Sequence, residues 1–265
     1  MSQTRQERRR AERAAKKEGE KFKMHFEMLQ PWSTFVMKPQ LPPPFLEKMI
    51  RITDKIVDNA ENEKSHGEFL AGQIEHELWV EHDILEKEEL MPFFMDVARN
   101  YVIQAQCQNE PFNRSAILAE EWYTQMLSIW IISQKDNEYN PAHIHTQCDL
   151  STVMYLKIPE YLPNRKFNRQ NDDGAITFSG PAGKCHRWGS PTMTIQPAVG
   201  DFFIFPASQQ HWVYPFRTPD GKGERRSVSF NVVFSNKTEQ EEYKKEQEEG
   251  IKHISIDEFK ENTRW

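Results

Sequence analysis

Two histidines separated by one residue stand out in segment 140–145, which reads Asn-Pro-Ala-His-Ile-His. Side chains at positions i and i+2 of a strand project from the same face, so His143 and His145 would point the same way. Imidazole is the commonest metal ligand in proteins and suits iron as well as zinc and copper. Segment 150–156 follows and is typical of a buried strand. The spacing therefore predicts a pair of metal ligands at the end of a sheet.

A third histidine follows a second strand-like segment. Residues 200–206 read Gly-Asp-Phe-Phe-Ile-Phe-Pro, which is a turn, an aromatic strand and a proline break. His211 comes five residues after that proline, at the predicted start of the next strand. A lone histidine is a weak signal, but three histidines near predicted strand ends favour a metal site.

Segment 225–234 alternates cleanly between polar and apolar residues. One face carries the polar residues Arg225, Ser227, Ser229 and Asn231. The other face carries Arg226 with Val228 and Phe230. A polar row inside a β-barrel costs free energy unless it meets a polar ligand or water. The planar guanidinium of Arg225 suits a carboxylate, because it can donate two parallel hydrogen bonds.

Short segments rich in Ile, Val, Phe, Trp and Tyr alternate with turn residues after position 109, and we predict a strand in each of them. The predicted strands span residues 121–134, 139–146, 150–158, 174–179, 192–196, 201–205, 211–215 and 225–234. Eight strands separated by turns fit a β-sandwich or jelly roll. Apolar residues at helical spacing predict two helices before this region, at 45–62 and 89–108.

The charge distribution divides the chain into three parts. Residues 1–24 are predicted to be a charged, disordered arm. Residues 25–235 are predicted to form one domain, with a helical part at 44–108 and a jelly-roll core at 116–235. Residues 236–265 form a charged tail, helical or loose.

Composition excludes several classes of protein. The net charge of −6 disfavours a nucleic-acid partner. The three cysteines, Cys107, Cys148 and Cys185, are too sparse for a disulfide framework and predict a reducing, cytoplasmic setting. No apolar run approaches the roughly 20 residues of a membrane-spanning helix.

Four segments, in this order and spacing, resemble the iron(II)/2-oxoglutarate-dependent oxygenases. They span residues 140–145, 150–156, 200–206 and 225–231. The resemblance covers residues 121–235 and is closest to a phage and bacterial subgroup of the prolyl-hydroxylase-like class. It implies a mainly β fold, the double-stranded β-helix, which is a cupin-like jelly roll with flanking helices. It also implies that the protein hydroxylates a protein residue or small metabolite with O₂, releasing succinate and CO₂. The setting would be the cytoplasm, or the host cytoplasm if the protein is viral.

The same resemblance assigns roles to individual residues. His143 and His211 would bind Fe(II), and Arg225 would hold the far carboxylate of 2-oxoglutarate. Ser227 and Tyr155 would assist Arg225. No catalytic side chain is implied beyond the metal site.

The third metal ligand departs from the family motif. The family has His-x-Asp at this point, whereas the chain has His143-Ile144-His145. His145 could replace the carboxylate, Asp149 could fold back to the metal, or water could fill the position. Strand alternation favours His145.

Two other functions fit the same residues. A cupin-like binding module could hold a structural or sensory metal without turnover. A three-histidine dioxygenase could work without 2-oxoglutarate, with Arg225 binding an acidic substrate directly. Dependence on 2-oxoglutarate distinguishes both from the first reading.

Overall fold

The computed structural model describes residues 35–67, 70–163, 171–180 and 191–248, with side chains to residue 245. All of them fall within one compact unit, Trp32–Trp265. The predicted arm at 1–24 and most of the predicted tail lie outside the described residues.

Five α-helices occur in the described part of the chain. They are α1 (Pro43–Val57), α2 (His82–Lys87), α3 (Met91–Asn109), α4 (Arg114–Ala119) and α5 (Lys237–Glu248). Helix α1 begins with proline, which fits the first turn, and buries Met49, Ile52 and Ile56 on one face. The helix predicted at 45–62 thus ends earlier, at Val57, and is followed by a short 3₁₀ turn. Each described helix is either too short or too polar to span a membrane.

The strands form two antiparallel sheets. The major sheet has the order β1 (His76–Trp79), β2 (Trp122–Gln134), β9 (Arg225–Asn236), β4 (Leu150–Lys157) and β7 (Phe202–Pro206). The minor sheet has the order β3 (Asn140–His143), β8 (His211–Val213), β5 (Ile176–Ser179) and β6 (Thr192–Ile195). From β2 to β9 the chain passes repeatedly between the two sheets, as in a jelly roll. The mainly β, double-stranded β-helix prediction is confirmed.

Each of the eight predicted strands has a counterpart, but two details differ. The strand predicted at 139–146 ends at His143, and the loop after it includes Gln147 with φ of 61°. Strand β1 was not predicted, because its four residues lie within the region expected to be helical. It extends the major sheet beyond β2.

The major sheet is covered on both faces. Its outer face packs against the helices in a cluster that includes Ile131 of β2, Phe230 of β9 and Phe94 of α3. Its inner face packs against the minor sheet, where Phe203 and Phe205 of β7 meet Phe178 of β5. Polar residues on the inner face are therefore enclosed between the two sheets.

Arg226 fixes β9 to helix α1 on the outer face. Its guanidinium is buried, donates to Asp54 Oδ1 at 2.6 Å and forms two hydrogen bonds with the Glu224 carboxylate at 2.7 and 2.9 Å. Lys157 also pairs with Asp54. These partners place Arg226 opposite to Arg225, as the alternation of β9 predicts.

Candidate active site

Three histidines meet at the edge of the minor sheet. His143 on β3 and His211 on β8 are direct cross-strand neighbours, with ring centroids 4.3 Å apart. His145 lies in the loop after β3, and its ring centroid is 5.4 Å from that of His143 and 5.3 Å from that of His211. One nitrogen from each ring falls within 4.8 Å of the others, which is close enough for one metal ion to bind all three.

Backbone carbonyl groups orient two of these rings. His143 Nδ1 lies 2.7 Å from the Pro141 carbonyl oxygen, and His211 Nδ1 lies 2.9 Å from that of Gln209. A carbonyl accepts only, so each Nδ1 must carry the proton in a neutral ring. The lone pair of each ring is thereby left on Nε2. A hydrogen bond on the far nitrogen is the usual support of a metal-binding imidazole.

The histidines are held in their neutral form. Burial, together with smaller contributions from the neighbouring rings of His211 and His143, lowers the pKa of His145 to about 3. Burial, with a smaller contribution from His143, lowers the pKa of His211 to about 4. Burial also lowers the pKa of His143, against the opposing effect of the Pro141 carbonyl. Neutral imidazole is the form that binds metal, so the cluster is ready for a cation at neutral pH.

The Asp149 side chain contacts the backbone of β9 rather than the histidine cluster. Its Oδ2 accepts a hydrogen bond from the backbone N–H of Phe234 at 3.0 Å, and its backbone pairs with Ala207 and Val232. In the part of the chain that the structure describes, the cluster of possible metal ligands contains the three histidines and no carboxylate. His145 reaches the cluster through the loop, whose backbone is held by a hydrogen bond from His145 N–H to the Ala207 carbonyl.

A cavity of about 650 Å³ extends from the histidines between the two sheets. The polar row predicted on β9 lines it, comprising Arg225, Ser227, Ser229 and Asn231. Three atoms of this row, Arg225 Nε, Ser227 Oγ and Asn231 Oδ1, are buried and have no hydrogen-bond partner. Unpaired buried polar atoms are costly, so the row is suited to a polar ligand.

Arg225 is buried without a counter-ion. Its side chain is 1% exposed, and its Nη1 donates to the Gly174 carbonyl oxygen at 2.8 Å, while Nε has no partner. No salt bridge joins it to an Asp or Glu among the described residues, in contrast to Arg226. An unpaired buried cation is strongly unfavourable, so the position calls for an anionic ligand.

Tyr155 lies beside Arg225 and opposite Ser227. The Arg225 Cζ atom is 5.2 Å from the centre of the Tyr155 ring, and Tyr155 and Ser227 are cross-strand partners. The turn at Gly200 and Asp201 holds Tyr155 in place through two backbone hydrogen bonds of 2.8 and 2.9 Å. The Tyr155 hydroxyl is buried without a partner, and burial raises its pKa to about 12. It therefore remains a hydrogen-bond donor.

Two residues near the cavity were not predicted. Tyr161 has a second buried hydroxyl without a hydrogen-bond partner. Burial raises the pKa of Tyr161, and the nearby Arg225 guanidinium opposes this effect. Glu77 on β1 lines the cavity, is 2% exposed, and has no partner for Oε2. Burial and, to a smaller extent, the nearby Glu138 carboxylate together raise the pKa of Glu77 to about 7. The only signal in the sequence was one acidic residue in a short apolar segment.

Replacing Glu77 by glutamine is expected to stabilise the protein more as the pH rises. The folded state holds the Glu77 proton up to about pH 7, whereas the unfolded chain releases it near pH 4.5. The wild type therefore loses stability across this window, and the amide does not. The difference corresponds to roughly 3 kcal/mol between pH 4 and pH 8. Urea unfolding of both proteins measures it, with the exposed Glu75→Gln as control. A variant-to-wild-type difference that is the same at both pH values would contradict this prediction.

Comparison with known proteins gives a family match over the residues of this site. Residues 128–231 match the model of a family described as "Putative 2OG-Fe(II) oxygenase". That stretch contains the three histidines, Tyr155, Arg225 and Ser227. A search of curated proteins found no match to the chain.

Three solved structures illustrate what the chain is similar to. A 2OG-Fe(II) oxygenase family oxidoreductase from Burkholderia pseudomallei is 15% identical, with a TM-score of 0.31, and the match covers 48% of this chain and 50% of that one. A prolyl-4-hydroxylase from Pseudomonas putida is 14% identical, covering 76% and 93%, with a TM-score of 0.42. A Trichoplax adhaerens prolyl hydroxylase, solved with a peptide fragment of hypoxia inducible factor, is 10% identical, covering 88% and 94%, with a TM-score of 0.45.

The jelly roll encloses a histidine cluster and a buried arginine in one cavity, an arrangement that suits a metal-dependent enzyme. The family match makes the class specific, because residues 128–231 match the model of a family described as putative 2OG-Fe(II) oxygenases. The enzymes of this class use Fe(II), 2-oxoglutarate and O₂ to oxidise a substrate. The resemblance found in the sequence is thereby confirmed.

Proposed function

We propose that the protein is an Fe(II)- and 2-oxoglutarate-dependent dioxygenase that hydroxylates a protein residue or a small metabolite. Iron would be held by His143, His145 and His211. The bound iron and 2-oxoglutarate supply the oxidising chemistry, in which O₂ is consumed and succinate and CO₂ are released.

The observation that carries this proposal is the buried guanidinium of Arg225, which has no counter-ion among the described residues and lies in the same cavity as the histidine cluster. A metal store needs no carboxylate-binding group, whereas 2-oxoglutarate has a keto-acid end for the metal and a second carboxylate for an arginine. Arg225 would donate to that second carboxylate. Ser227 and Tyr155 would donate to the same group, since both hydroxyls are buried without partners. Together the three residues set the direction in which the co-substrate enters.

The first test is anaerobic titration of the Fe(II)-loaded protein with 2-oxoglutarate. We expect the visible absorption band of the keto-acid chelate, followed by succinate when O₂ is admitted. Pyruvate is the matched control ligand, because it has the keto-acid end and lacks the second carboxylate. It should bind roughly 100-fold more weakly, since one or two charge-assisted hydrogen bonds are missing.

The alternatives give different results. Tight iron binding with no chelate band would favour the cupin-like binding module. Oxygen consumption that does not depend on 2-oxoglutarate would favour the three-histidine dioxygenase, with Arg225 binding an acidic substrate. Either result would overturn the proposal.

A further inference from the structure

The inner face of the major sheet places Glu77 on the opposite side of the cavity from the proposed co-substrate site. Across the sheet, Glu77 of β1 pairs with Ile132 of β2, Ile132 with Ser227 of β9, and Ser227 with Tyr155 of β4. Glu77 and Tyr155 thus end the same cross-strand row. Neighbouring strands lie about 4.8 Å apart, so Glu77 is about 10 Å from the β9 backbone in this direction.

The proposed position of 2-oxoglutarate leaves the β1 side of the cavity open to the substrate. If 2-oxoglutarate lies against Arg225 and Tyr155, it occupies the β9 and β4 side. The histidine cluster belongs to the same cavity, since all three rings line it together with Glu77. A substrate held by Glu77 would reach the metal from the direction that the co-substrate leaves open.

The Glu77 carboxylate lies near a second acidic side chain and has no cationic partner among the described residues. Oε2 is buried without a hydrogen-bond partner, and no salt bridge joins Glu77 to a basic residue among those the structure describes. Glu138 adds a second negative charge close by. A buried carboxylate without a cation is costly, and a cationic ligand would offset that cost.

The chain packs closely around this carboxylate. A Cβ atom at Gly72 would lie 2.7 Å from Glu77 Oε1, 2.9 Å from Oε2 and 2.6 Å from Asn140 Oδ1. Glycine therefore allows the backbone at residue 72 to approach both side chains, which would be displaced by any larger residue. Gly72 thus helps to keep the carboxylate in a defined place beside the cavity.

Aromatic rings lie between Glu77 and the histidine cluster. Trp79 and Trp130 are cross-strand partners in the next row of the same face, and both line the cavity. The Trp130 ring centroid lies 6.0 Å from that of His145. Outside the cavity lining, the exposed Lys64 ammonium lies 4.9 Å from the centre of one Trp79 ring. Tryptophan faces attract ammonium and guanidinium groups.

We propose that Glu77 is the substrate-anchoring residue of this site and that it binds a cationic group, an ammonium or a guanidinium, on the substrate. Asn140 would offer a further polar contact at the same end, and Trp130 would pack against the chain that links the cation to the reacting carbon. This inference rests on the proposed oxygenase function and names its substrate class. The substrate would be a basic side chain or a small amine.

The test is calorimetric titration of the anaerobic Fe(II)–2-oxoglutarate protein with blocked amino acids. N-acetyl-arginine methylamide is compared with its neutral isostere N-acetyl-citrulline methylamide, and the lysine derivative with that of norleucine. We expect at least one cationic probe to bind tenfold or more tightly than its neutral partner. Glu77→Gln should reduce that ratio to about one, Glu77→Asp should retain part of it, and the exposed Glu75→Gln should leave it unchanged.

The outcomes separate this inference from the proposed function. If both ratios are near one in the wild type, or if the preference persists in Glu77→Gln, the inference is overturned. The chelate band of 2-oxoglutarate is recorded in the same samples. A normal band without charge preference overturns the role of Glu77 alone, whereas absence of the band overturns the oxygenase proposal itself. If Glu77→Gln does not fold, loss of binding strength in Glu77→Asp decides the matter, since an unchanged affinity there would contradict an anchoring carboxylate.

Discussion

Replacing His211 by alanine is expected to weaken Fe(II) binding by at least about 100-fold and to reduce succinate formation to background. Loss of a hydrogen-bond partner of a metal ligand already costs 10–100-fold, so loss of the ligand itself costs more. His211 is buried, and its Nδ1 is engaged with Gln209, which leaves Nε2 directed to the cluster. Iron content after dialysis and the anaerobic chelate band measure the effect.

The same measurement decides the third ligand. His145→Ala should lose iron as His211→Ala does, because the His145 ring lies within the cluster. Asp149→Ala should retain iron while losing stability, because the Asp149 carboxylate accepts from the Phe234 N–H. His76→Ala, outside the cluster, is the control. Iron retained in His145→Ala and lost in Asp149→Ala would reverse the assignment, and iron retained in both would leave water as the third ligand.

Arg225→Ala is expected to raise the dissociation constant of 2-oxoglutarate roughly 100-fold while iron stays bound. The variant loses one or two charge-assisted hydrogen bonds of about 1.5–3 kcal/mol each. It should bind pyruvate as well as the wild type does, because pyruvate has no second carboxylate. The preference for 2-oxoglutarate over pyruvate should therefore collapse, which anaerobic titration of the chelate band measures.

Arg226→Ala provides the neighbouring control. Arg226 is equally buried, but its guanidinium is paired with Asp54 and Glu224 on the outer face. The variant loses both ion pairs and the packing of the buried Arg226 side chain, so it should lose stability. Its folded fraction should keep the preference for 2-oxoglutarate. A preference that survives in Arg225→Ala, or disappears only in Arg226→Ala, would contradict the proposed role of Arg225.

Much of the fold was predictable because periodicity reports which side of a strand is buried. The clean alternation of β9 predicted both the polar inner row and the apolar outer face that packs on α3. Strand β1 was missed because a four-residue strand between helices carries too little periodicity to be recognised. Its place in the sheet depends on pairing with β2, some 50 residues later in the chain.

The sequence predicted most residues of the candidate site, but it did not predict how the fold brings all of them together. His145 was favoured because of strand alternation, yet β3 ends at His143 and the loop brings His145 to the cluster. Glu77 and Tyr161 were missed since their importance lies in what surrounds them. An unpartnered buried oxygen is a property of the packed molecule, and no local pattern reports it.

The two consecutive arginines of β9 have a consequence for how the site assembles. Sliding β9 by one residue would present Arg226 to the cavity, together with Val228 and Phe230 in place of the serines. Such a misaligned form would still carry a guanidinium inside, but it would abandon the ion pairs with Asp54 and Glu224. Helix α1 supplies Asp54 but contributes no described side chain to the cavity wall. Its ion pair with Arg226 therefore favours the correct register of β9. Mutations at Asp54 could therefore impair co-substrate binding from a distance.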